Sequence, residues 1–598
     1  MPRRNGYDAI PEDDDGLMRT KINQVIALLF GSVTMTIMIL FTIARSFTST
    51  NDIIDSSNYI LLSKHNHRHY HHKRWKKKQH RDMNTPLFYE KQLIDHYGDD
   101  SMKHWKHRYY KSTEHWRGPG WPILLVVGGQ RAMNDGMLYP FVTDVLAKRF
   151  GAAVVQAEHR FYGPYQPLKF PSSIARKLEL FTPAQAMEDM RRLVMIGLRE
   201  NGQDFVNCSP HRSSKSYCPL VTVGASYSGF LSAMFRLLHS DVVDMAYASS
   251  APLLMYGQIT DNREYYNMLT RAVDRTIPGC ANAVKSTLLE VTQLVRNLTS
   301  ANDAALAIGV CDGEKLPVAF YTTKDLADGL NRMIANAFVN NNAGVYKSGY
   351  NVLYKVCQPF QDITMNSVDR IKAYFIEQAI ADYENSNSCE VSSYSSNICH
   401  KRAKEKYLKD MLEGKCKDMR PDFGPGPYYD RGNRNKLTKF DGHIYDDQDS
   451  YKFQTCTNLI SLSSRGNESM FPNHLTTYDE VTRDCHHTYG PEIGKIRPTE
   501  LVDMWHFAPA RAFVNTGVSR IIFVNGMNDM WSKGAYSENV SDTVLVVNMI
   551  NAKHRGDLTY TNIKYNEEHD TEDVKDAKEK IAYILETWLQ AVKLEAAQ

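Results

Sequence analysis

Short apolar runs that end at glycine alternate with segments of helical periodicity in the first part of the chain. The clearest runs span residues 121–129 and 152–163, and a third leads into the stretch "VGASYSGFLSAMF". Continuous apolar runs are typical of strands buried on both faces, and alternating strands and helices produce right-handed crossovers. The sequence therefore predicts an α/β protein with a mostly parallel sheet.

This alternation stops near Gly257 and returns after about Thr499. The interval holds helical patterns and eight of the ten cysteines, and strand-like runs reappear at 518–531 and 542–558 before an amphipathic segment closes the chain. Insertions of this kind cover the carboxyl ends of the strands, where open α/β sheets bind ligands. We interpret the pattern as an α/β-hydrolase fold interrupted by a helical, disulfide-bonded cap domain, with hydrolase parts at 86–256 and 500–598 and the cap at 257–499.

The N-terminal region carries a long uncharged segment at residues 22–44. At 1.5 Å per residue it could cross a hydrocarbon core of about 30 Å, and it exceeds the roughly 7–15 apolar residues of a secretory signal peptide. We predict an uncleaved transmembrane signal anchor, preceded by a cytoplasmic tail (1–21) and followed by a His/Lys/Arg-rich stalk (45–85). The stalk reads as a solvated tether, with polyanion or metal binding as alternatives.

Cysteines and glycosylation motifs place the rest of the chain outside the cytosol. All ten cysteines lie between Cys208 and Cys485, and the net charge of +3 is too small to indicate a nucleic-acid partner. We predict a single-pass type II membrane protein at the cell surface or in the endo-lysosomal and secretory pathway, which cleavage in the stalk would release. Four N-x-[ST] motifs are predicted glycosylation sites: Asn207, Asn297, Asn467 and Asn539.

The third apolar run points to a catalytic serine. Ser226 follows a strand among small residues, although Ser228 stands where the nucleophile elbow G-x-S-x-G has glycine. A serine needs a base, and the base needs an acid that orients it. Asp529 and His554 each follow a late strand, in the order Ser, Asp, His that this fold uses. We predict these three as nucleophile, acid and base.

The same turn geometry predicts an oxyanion hole from the backbone N–H of Tyr227 and a second donor in the loop of Gly129 and Gln130. Other polar residues receive structural interpretations: His159 precedes the serine, His569 lies among acids before a helix, and Asp557 shapes the loop behind His554. The pattern requires no metal and no cofactor.

Further motifs carry a family resemblance. "AEHRFYG", "ASSAPL", "FQTCTN", "NGMNDMW" and "AKHRGDL" occur in this order between about Pro86 and Leu558. They resemble the serine peptidase family that includes lysosomal Pro-X carboxypeptidase, dipeptidyl peptidase II and thymus-specific serine protease. The triad of that family falls on Ser226, Asp529 and His554.

The resemblance implies an exopeptidase that hydrolyses short peptides after proline or another small residue near one terminus, through an acyl-enzyme. The sequence leaves open whether the protein acts as a carboxypeptidase or an aminodipeptidase. It also leaves open whether the protein forms a homodimer. Gln130 replaces an acidic residue of the family and Met530 replaces a proline. The alternative is a catalytically silent ectodomain that acts in binding or adhesion. A lipase or esterase would not need the family motifs.

Overall fold

The computed structural model divides into two compact units, residues 1–77 and 78–598. It describes residues 83–98, 103–133, 136–168, 172–200, 205–309, 322–343, 352–386, 405, 443–444, 447–507, 511–558, 565 and 570–595. The predicted tail, the anchor at 22–44 and nearly all of the stalk lie outside these residues. Within the described ranges, no helix is long and apolar enough to cross a membrane.

The described strands form one large sheet and one small one. The large sheet has eight strands in the order β1-β2-β4-β3-β6-β7-β9-β10, and from β4 to β10 every neighbouring pair is parallel. This confirms the predicted α/β-hydrolase-like sheet. The strands are β1 Leu87–Leu93, β2 His104–Ser112, β3 Ile123–Val126, β4 Ala153–Ala157, β5 Ser172–Ser173, β6 Leu220–Ala225, β7 Met245–Ser249, β8 His443–Ile444, β9 Ile521–Gly526 and β10 Val544–Met549.

The antiparallel strands β1 and β2 are absent from the sequence-based prediction. Their sequences contain no continuous apolar run, since several of their buried side chains are polar and have hydrogen-bond partners within the hairpin. The Gln92 amide, for example, lies 3.0 Å from Nδ1 of His107, and both residues are fully buried. A pattern of apolar runs therefore does not predict these strands. The strands expected at 518–531 and 542–558 occur, but each is shorter than the apolar run that predicted it.

Helices cover both faces of the sheet and fill most of the interval between β7 and β9. They are α1 Ala147–Phe150, α2 Ile174–Leu180, α3 Pro183–Arg192, α4 Tyr227–Leu238, α5 Leu253–Tyr256, α6 Glu264–Thr276, α7 Cys280–Asn297, α8 Ala301–Ala307, α9 Thr323–Ala343, α10 Val352–Gln361, α11 Ser367–Ser386, α12 Asp447–Thr457, α13 Tyr478–Tyr489, α14 Glu500–Trp505, α15 Arg511–Asn515 and α16 Glu572–Glu595. Phe141–Leu146 and Leu193–Glu200 form π-helical turns beside α1 and α3.

Alternate residues of the central strands enter two separate cores. On one face, Leu125 and Val155 pack in the same apolar cluster as Phe230 of α4. On the other face, Leu124 clusters with Leu585 of α16. Side chains of a strand point alternately to the two faces, so a strand buried on both must be apolar throughout.

The interval between β7 and β9 packs in two places. Helices α6 to α11 build their own apolar cluster, and a disulfide joins Cys280 of α7 to Cys357 of α10. Helices α12 and α13, joined by the disulfide Cys456–Cys485, contribute instead to a cluster with residues that follow β4. A third disulfide joins Cys208 to Cys218. The other four cysteines, Cys311, Cys389, Cys399 and Cys416, lie outside the described residues.

Candidate active site

Ser226 occupies a sharp turn between β6 and α4. Its backbone has φ 61° and ψ −128°, and its N–H donates to the Ser249 carbonyl at 2.9 Å. Positive φ is uncommon for a residue other than glycine and is typical of nucleophile turns. A Cβ on Gly224 would lie 2.0 Å from the Ser228 carbonyl oxygen. The turn therefore forms only with glycine at this position.

Ser228 fits into the elbow in place of the usual glycine for two reasons. Its hydroxyl donates to the Ala225 carbonyl at 2.9 Å and accepts from the Ala225 N–H at 3.0 Å. Its Cβ would meet a Cβ on residue 129 at about 3.3 Å, but that residue is Gly129. The departure from the motif is thus satisfied by hydrogen bonds and accommodated by the neighbouring loop.

Asp529 and His554 form a buried hydrogen-bonded pair. Asp529 follows β9 and His554 follows β10, and Oδ2 of the aspartate lies 2.7 Å from Nδ1 of the imidazole. The two residues are only 1% and 8% exposed. The other carboxylate oxygen, Oδ1, accepts the Trp531 N–H at 2.9 Å. With Nδ1 bonded to the carboxylate, Nε2 is the nitrogen that remains to act as a base.

The loop after β10 reaches back across the sheet, which brings His554 towards the nucleophile. Its Arg555 N–H donates to the Ser250 hydroxyl at 3.0 Å, and Asp557 accepts hydrogen bonds of 2.6 Å from Tyr247 and Ser249 of β7. Strand β7 is the neighbour of β6, which carries Ser226. Among the described residues there is no hydrogen bond between the Ser226 hydroxyl and His554. Asp557 therefore shapes this loop, as predicted.

A cavity of about 180 Å³ opens beside Ser226 and is lined by Gly129, Gln130 and Arg555. The Tyr227 N–H belongs to the first turn of α4, whose amides have no acceptor within the helix. The structure thus brings the three predicted oxyanion residues to the same end of the sheet as Ser226.

Sequence reasoning missed a buried hydrogen-bonded network behind this turn. The Tyr227 hydroxyl lies 3.1 Å from Nε2 of His159 and 3.2 Å from the Gln454 amide nitrogen. The Gln454 carbonyl oxygen accepts the Tyr162 hydroxyl at 2.6 Å. Two of the family-like stretches, "EHRFYG" and "FQTCTN", therefore meet at the side chain next to the nucleophile. The sequence signalled these residues through the two stretches and through the position of His159 at a strand end, but it did not show that they meet.

The rest of the "EHR" stretch makes buried ion pairs. Glu158 pairs with Arg108 and accepts the Met133 N–H at 2.9 Å. Arg160 contacts Asp189 through two hydrogen bonds of 2.6 Å. Although burial opposes ionisation, the Arg160 guanidinium holds the pKa of Asp189 well below its usual range. These pairs anchor the chain that leaves β4.

The predicted glycosylation sites lie at the surface of the protein. Asn207, Asn297, Asn467 and Asn539 are all exposed. His569 lies outside the described residues. In the described part of the chain, no group of three or more His, Cys, Asp or Glu residues is arranged to hold a metal ion.

Several known peptidases are similar in sequence to this chain. The chain is 23% identical over 490 residues to lysosomal Pro-X carboxypeptidase of Mus musculus, which covers 79% of this chain and 84% of that protein. It is 29% identical over 221 residues to thymus-specific serine protease of Homo sapiens, covering 36% and 39% of the two chains. Among solved structures, an acylaminoacyl peptidase shares 19% identity over 29% of this chain and 24% of its own, with a TM-score of 0.20, too low to bear on function.

The pattern of one peptidase family covers most of the chain. The family described as serine carboxypeptidase S28 matches residues 92–315 and 340–581, which contain Ser226, Asp529, His554 and the network around Tyr227. The chain therefore belongs to the S28 family of serine carboxypeptidases.

Proposed function

We propose that this protein is a serine exopeptidase in which Ser226 is the nucleophile, His554 the general base and Asp529 the residue that orients it. The observation that carries the proposal is the buried 2.7 Å contact between His554 and Asp529, at the same end of the sheet as the strained serine turn. The Ser226–His554 hydrogen bond would tighten when substrate binds, as catalytic hydrogen bonds often do.

The mechanism follows from the placement of these groups. His554 Nε2 takes the Ser226 proton as Oγ attacks the peptide carbonyl, and Asp529 stabilises the imidazolium that forms. The Tyr227 N–H and a donor from the Gly129–Gln130 loop stabilise the oxyanion. His554 then protonates the leaving amine, and water releases the acyl group by the reverse sequence. Apart from the substrate and this water, every step uses groups of this chain.

Aromatic side chains beside Asp529 support a proline or small residue at the cleavage site. The Trp531 N–H donates to Asp529, and its ring makes an edge contact with Tyr265 at 5.0 Å between centroids. A flat apolar ring next to Asp529 suits a proline residue of the substrate, which needs no polar partner. Relatives named Pro-X carboxypeptidases have a preference of the same type in their name.

Cationic side chains of α12 and of the chain that follows it support recognition of a free carboxylate rather than a free amine. Lys452 of α12 has an exposed side chain, and desolvation by the surrounding protein lowers the pKa of its ammonium group. The charge of Arg332 acts on both Lys452 and Arg465. Arg465 is only 8% exposed, and its guanidinium forms no hydrogen bond or ion pair with the described residues. A buried cation that has no hydrogen-bonded partner among the described residues favours an anionic ligand.

The first test is active-site labelling of the full chain with a fluorophosphonate, beside Ser226→Ala. We expect labelling of the native chain and its loss in the variant. Hydrolysis of an N-blocked X-Pro-Phe peptide, of its C-terminal amide and of a free-amine Lys-Pro reporter then assigns the type of exopeptidase. We expect the free acid to be cleaved at least about tenfold faster than the amide, because only the acid offers a carboxylate to the cationic groups.

The alternative is a silent ectodomain that binds a partner. A folded, native chain that resists the fluorophosphonate would favour it and would exclude the enzyme. Cleavage of the Lys-Pro reporter alone would retain the peptidase but reverse its polarity to an aminodipeptidase.

Location outside the cytosol is proposed on sequence and surface features. The uncharged segment 22–44 supports a type II anchor, and the exposed Asn207, Asn297, Asn467 and Asn539 are accessible to glycosylation. Three disulfides among the described residues support an oxidising compartment. Polyanion binding by the basic stalk and homodimer formation remain proposals from sequence alone.

A further inference from the structure

The buried network at Tyr227 has a single arrangement of donors. His159 Nδ1 lies 2.6 Å from the Arg160 carbonyl oxygen, which can only accept, so Nδ1 carries the proton. Burial lowers the pKa of His159 to about 4, so its ring is neutral and Nε2 is an acceptor. The Tyr227 hydroxyl must therefore donate its one proton to Nε2.

The remaining bonds follow from that first one. Since the Tyr227 proton is committed to His159, the contact with Gln454 requires the amide nitrogen to donate to the Tyr227 oxygen. The Gln454 carbonyl oxygen then faces Tyr162, whose hydroxyl donates to it. Every polar atom has a partner, and each bond depends on the next, so the network is fully satisfied only when all four side chains are in place.

Gln454 enters this network from a distant part of the chain. It lies on α12, whose Phe453 stacks on Phe181 with centroids 5.9 Å apart. The neighbouring Ser450 accepts a hydrogen bond of 3.0 Å from Lys177 of α2. These contacts place Gln454 against the elbow only when α12 is docked on the hydrolase part of the fold.

The side chain that Gln454 holds belongs to the residue after the nucleophile. Tyr227 is fully buried, and its N–H is the expected oxyanion donor. The preceding peptide is strained, because Ser226 has φ 61° and ψ −128°. Such a conformation persists only when the surroundings fix it from several sides. A side chain bonded at its tip to two partners restricts how far the Tyr227 backbone can rotate.

We propose that Gln454 and His159 are positioning residues which, by holding the Tyr227 hydroxyl, aim the Tyr227 N–H at the oxyanion, so that docking of α12 completes the active site. This role rests on the proposed function. The network contacts no reacting atom and acts through Tyr227 alone. Its loss should weaken the transition state more than the bound substrate, because the oxyanion forms only on reaction.

The test compares three variants of the full chain. Gln454→Met keeps the length of the side chain but removes its hydrogen bonds, and Tyr227→Phe removes the hydroxyl without altering α12. Asn331→Leu is the matched control, since Asn331 is a buried amide of α9 that bonds Thr292 at 3.0 Å. All three lose a buried polar partner, so their melting temperatures show the purely structural effect.

The expected results distinguish a loss of orientation of the Tyr227 N–H from a loss of folding stability. Below the melting temperature of each variant, Gln454→Met and Tyr227→Phe should lower kcat at least about tenfold with KM within about twofold. Affinity for a peptide boronic acid, whose adduct places an oxygen in the oxyanion hole, should fall by the same factor as kcat. Asn331→Leu should leave kcat and the boronic acid affinity unchanged.

The double variant Tyr227→Phe/Gln454→Met supplies a further criterion. Both changes remove the same hydrogen bond, between the Gln454 amide and the Tyr227 hydroxyl. The kcat of the double variant should therefore equal that of either single variant, whereas independent effects would multiply. An unchanged kcat in Gln454→Met, or multiplying effects, would overturn the positioning role while fluorophosphonate labelling of the native chain still upheld the peptidase. If Gln454→Met does not fold, Tyr227→Phe alone decides. A native chain that does not label overturns both proposals.

Discussion

At the scale of single residues, two of the departures from the family motifs are accommodated by their neighbours. Ser228 replaces a glycine, yet its hydroxyl bonds the Ala225 backbone and its Cβ lies against Gly129. Met530 replaces a proline and is completely buried in the cluster of helices α6 to α11. A motif position read alone cannot show such compensation, because the compensating residue lies elsewhere in the chain.

His159 gives the protein a specific pH dependence of stability. Burial lowers its pKa to about 4, while an unfolded chain has the ordinary histidine value of about 6.5. Between these pH values the unfolded chain binds a proton that the folded protein does not, so stability is complete above about pH 6.5 and falls as the pH drops towards 4. We expect the free energy of unfolding of the native chain to fall by about 2 kcal/mol more than that of His159→Gln between pH 7 and 4.5.

Urea unfolding of the two chains at a series of pH values measures this difference. Other carboxyl and histidine groups titrate in both chains and cancel in the comparison. Parallel curves for the two proteins would show that His159 takes up its proton as easily when folded as when unfolded.

At the scale of secondary-structure elements, α12 joins the site to the cysteine-rich part of the chain. It carries Gln454, and its Cys456 is bonded to Cys485 of α13. Both cysteines are buried in the cluster that contains Phe161 and Phe181. The disulfide therefore holds together the two helices that support the Tyr227 network.

Removal of this disulfide should reduce both stability and activity. The bond closes a loop of 29 residues, and loops of this size stabilise folded proteins by about 2–4 kcal/mol. We expect Cys456→Ser/Cys485→Ser to lower the melting temperature and, below it, to lower kcat. The control is Cys208→Ser/Cys218→Ser, which opens a 10-residue loop and should lower stability only. Equal kcat values in the two double variants would contradict the link between α12 and the site.

At the scale of the whole molecule, one sheet is built from two distant stretches of chain. Of its strands, β1 to β4, β6 and β7 come before the helical interval, and β9 and β10 come after it. Ala246 to Ser249 of β7 pair in register with Ile521 to Val524 of β9. The nucleophile thus belongs to the first stretch and the acid and base to the second, so neither stretch contains a complete site.

A fragment of residues 78–256 should not form a stable monomer. It lacks β9 and β10, and the fully buried strand β7 would become an unpaired apolar edge. We expect this fragment to aggregate in size-exclusion chromatography. Residues 78–598 serve as the control and should elute as a folded protein, because that unit contains all of the described contacts. A monomeric, folded fragment 78–256 would show that the first stretch is an independent domain.

The sequence by itself determined the features that depend on local patterns. Apolar runs located the buried parallel strands, because a strand covered on both faces needs no polar residue. The order of Ser226, Asp529 and His554 at strand ends identified the candidate triad, because parallel strands bring their carboxyl ends to one edge. The stretches similar to family motifs identified the S28 family before any geometry was known.

Only the tertiary structure decided what each buried polar group meets. The sequence pattern did not predict the hairpin β1–β2, because buried positions of this hairpin hold polar side chains that find partners only in the folded protein. Gln454 and Tyr227 are 227 residues apart, yet the amide of one holds the hydroxyl of the other. Periodicity indicates which face of an element is buried but not which element covers it, since that depends on the packing of the whole chain.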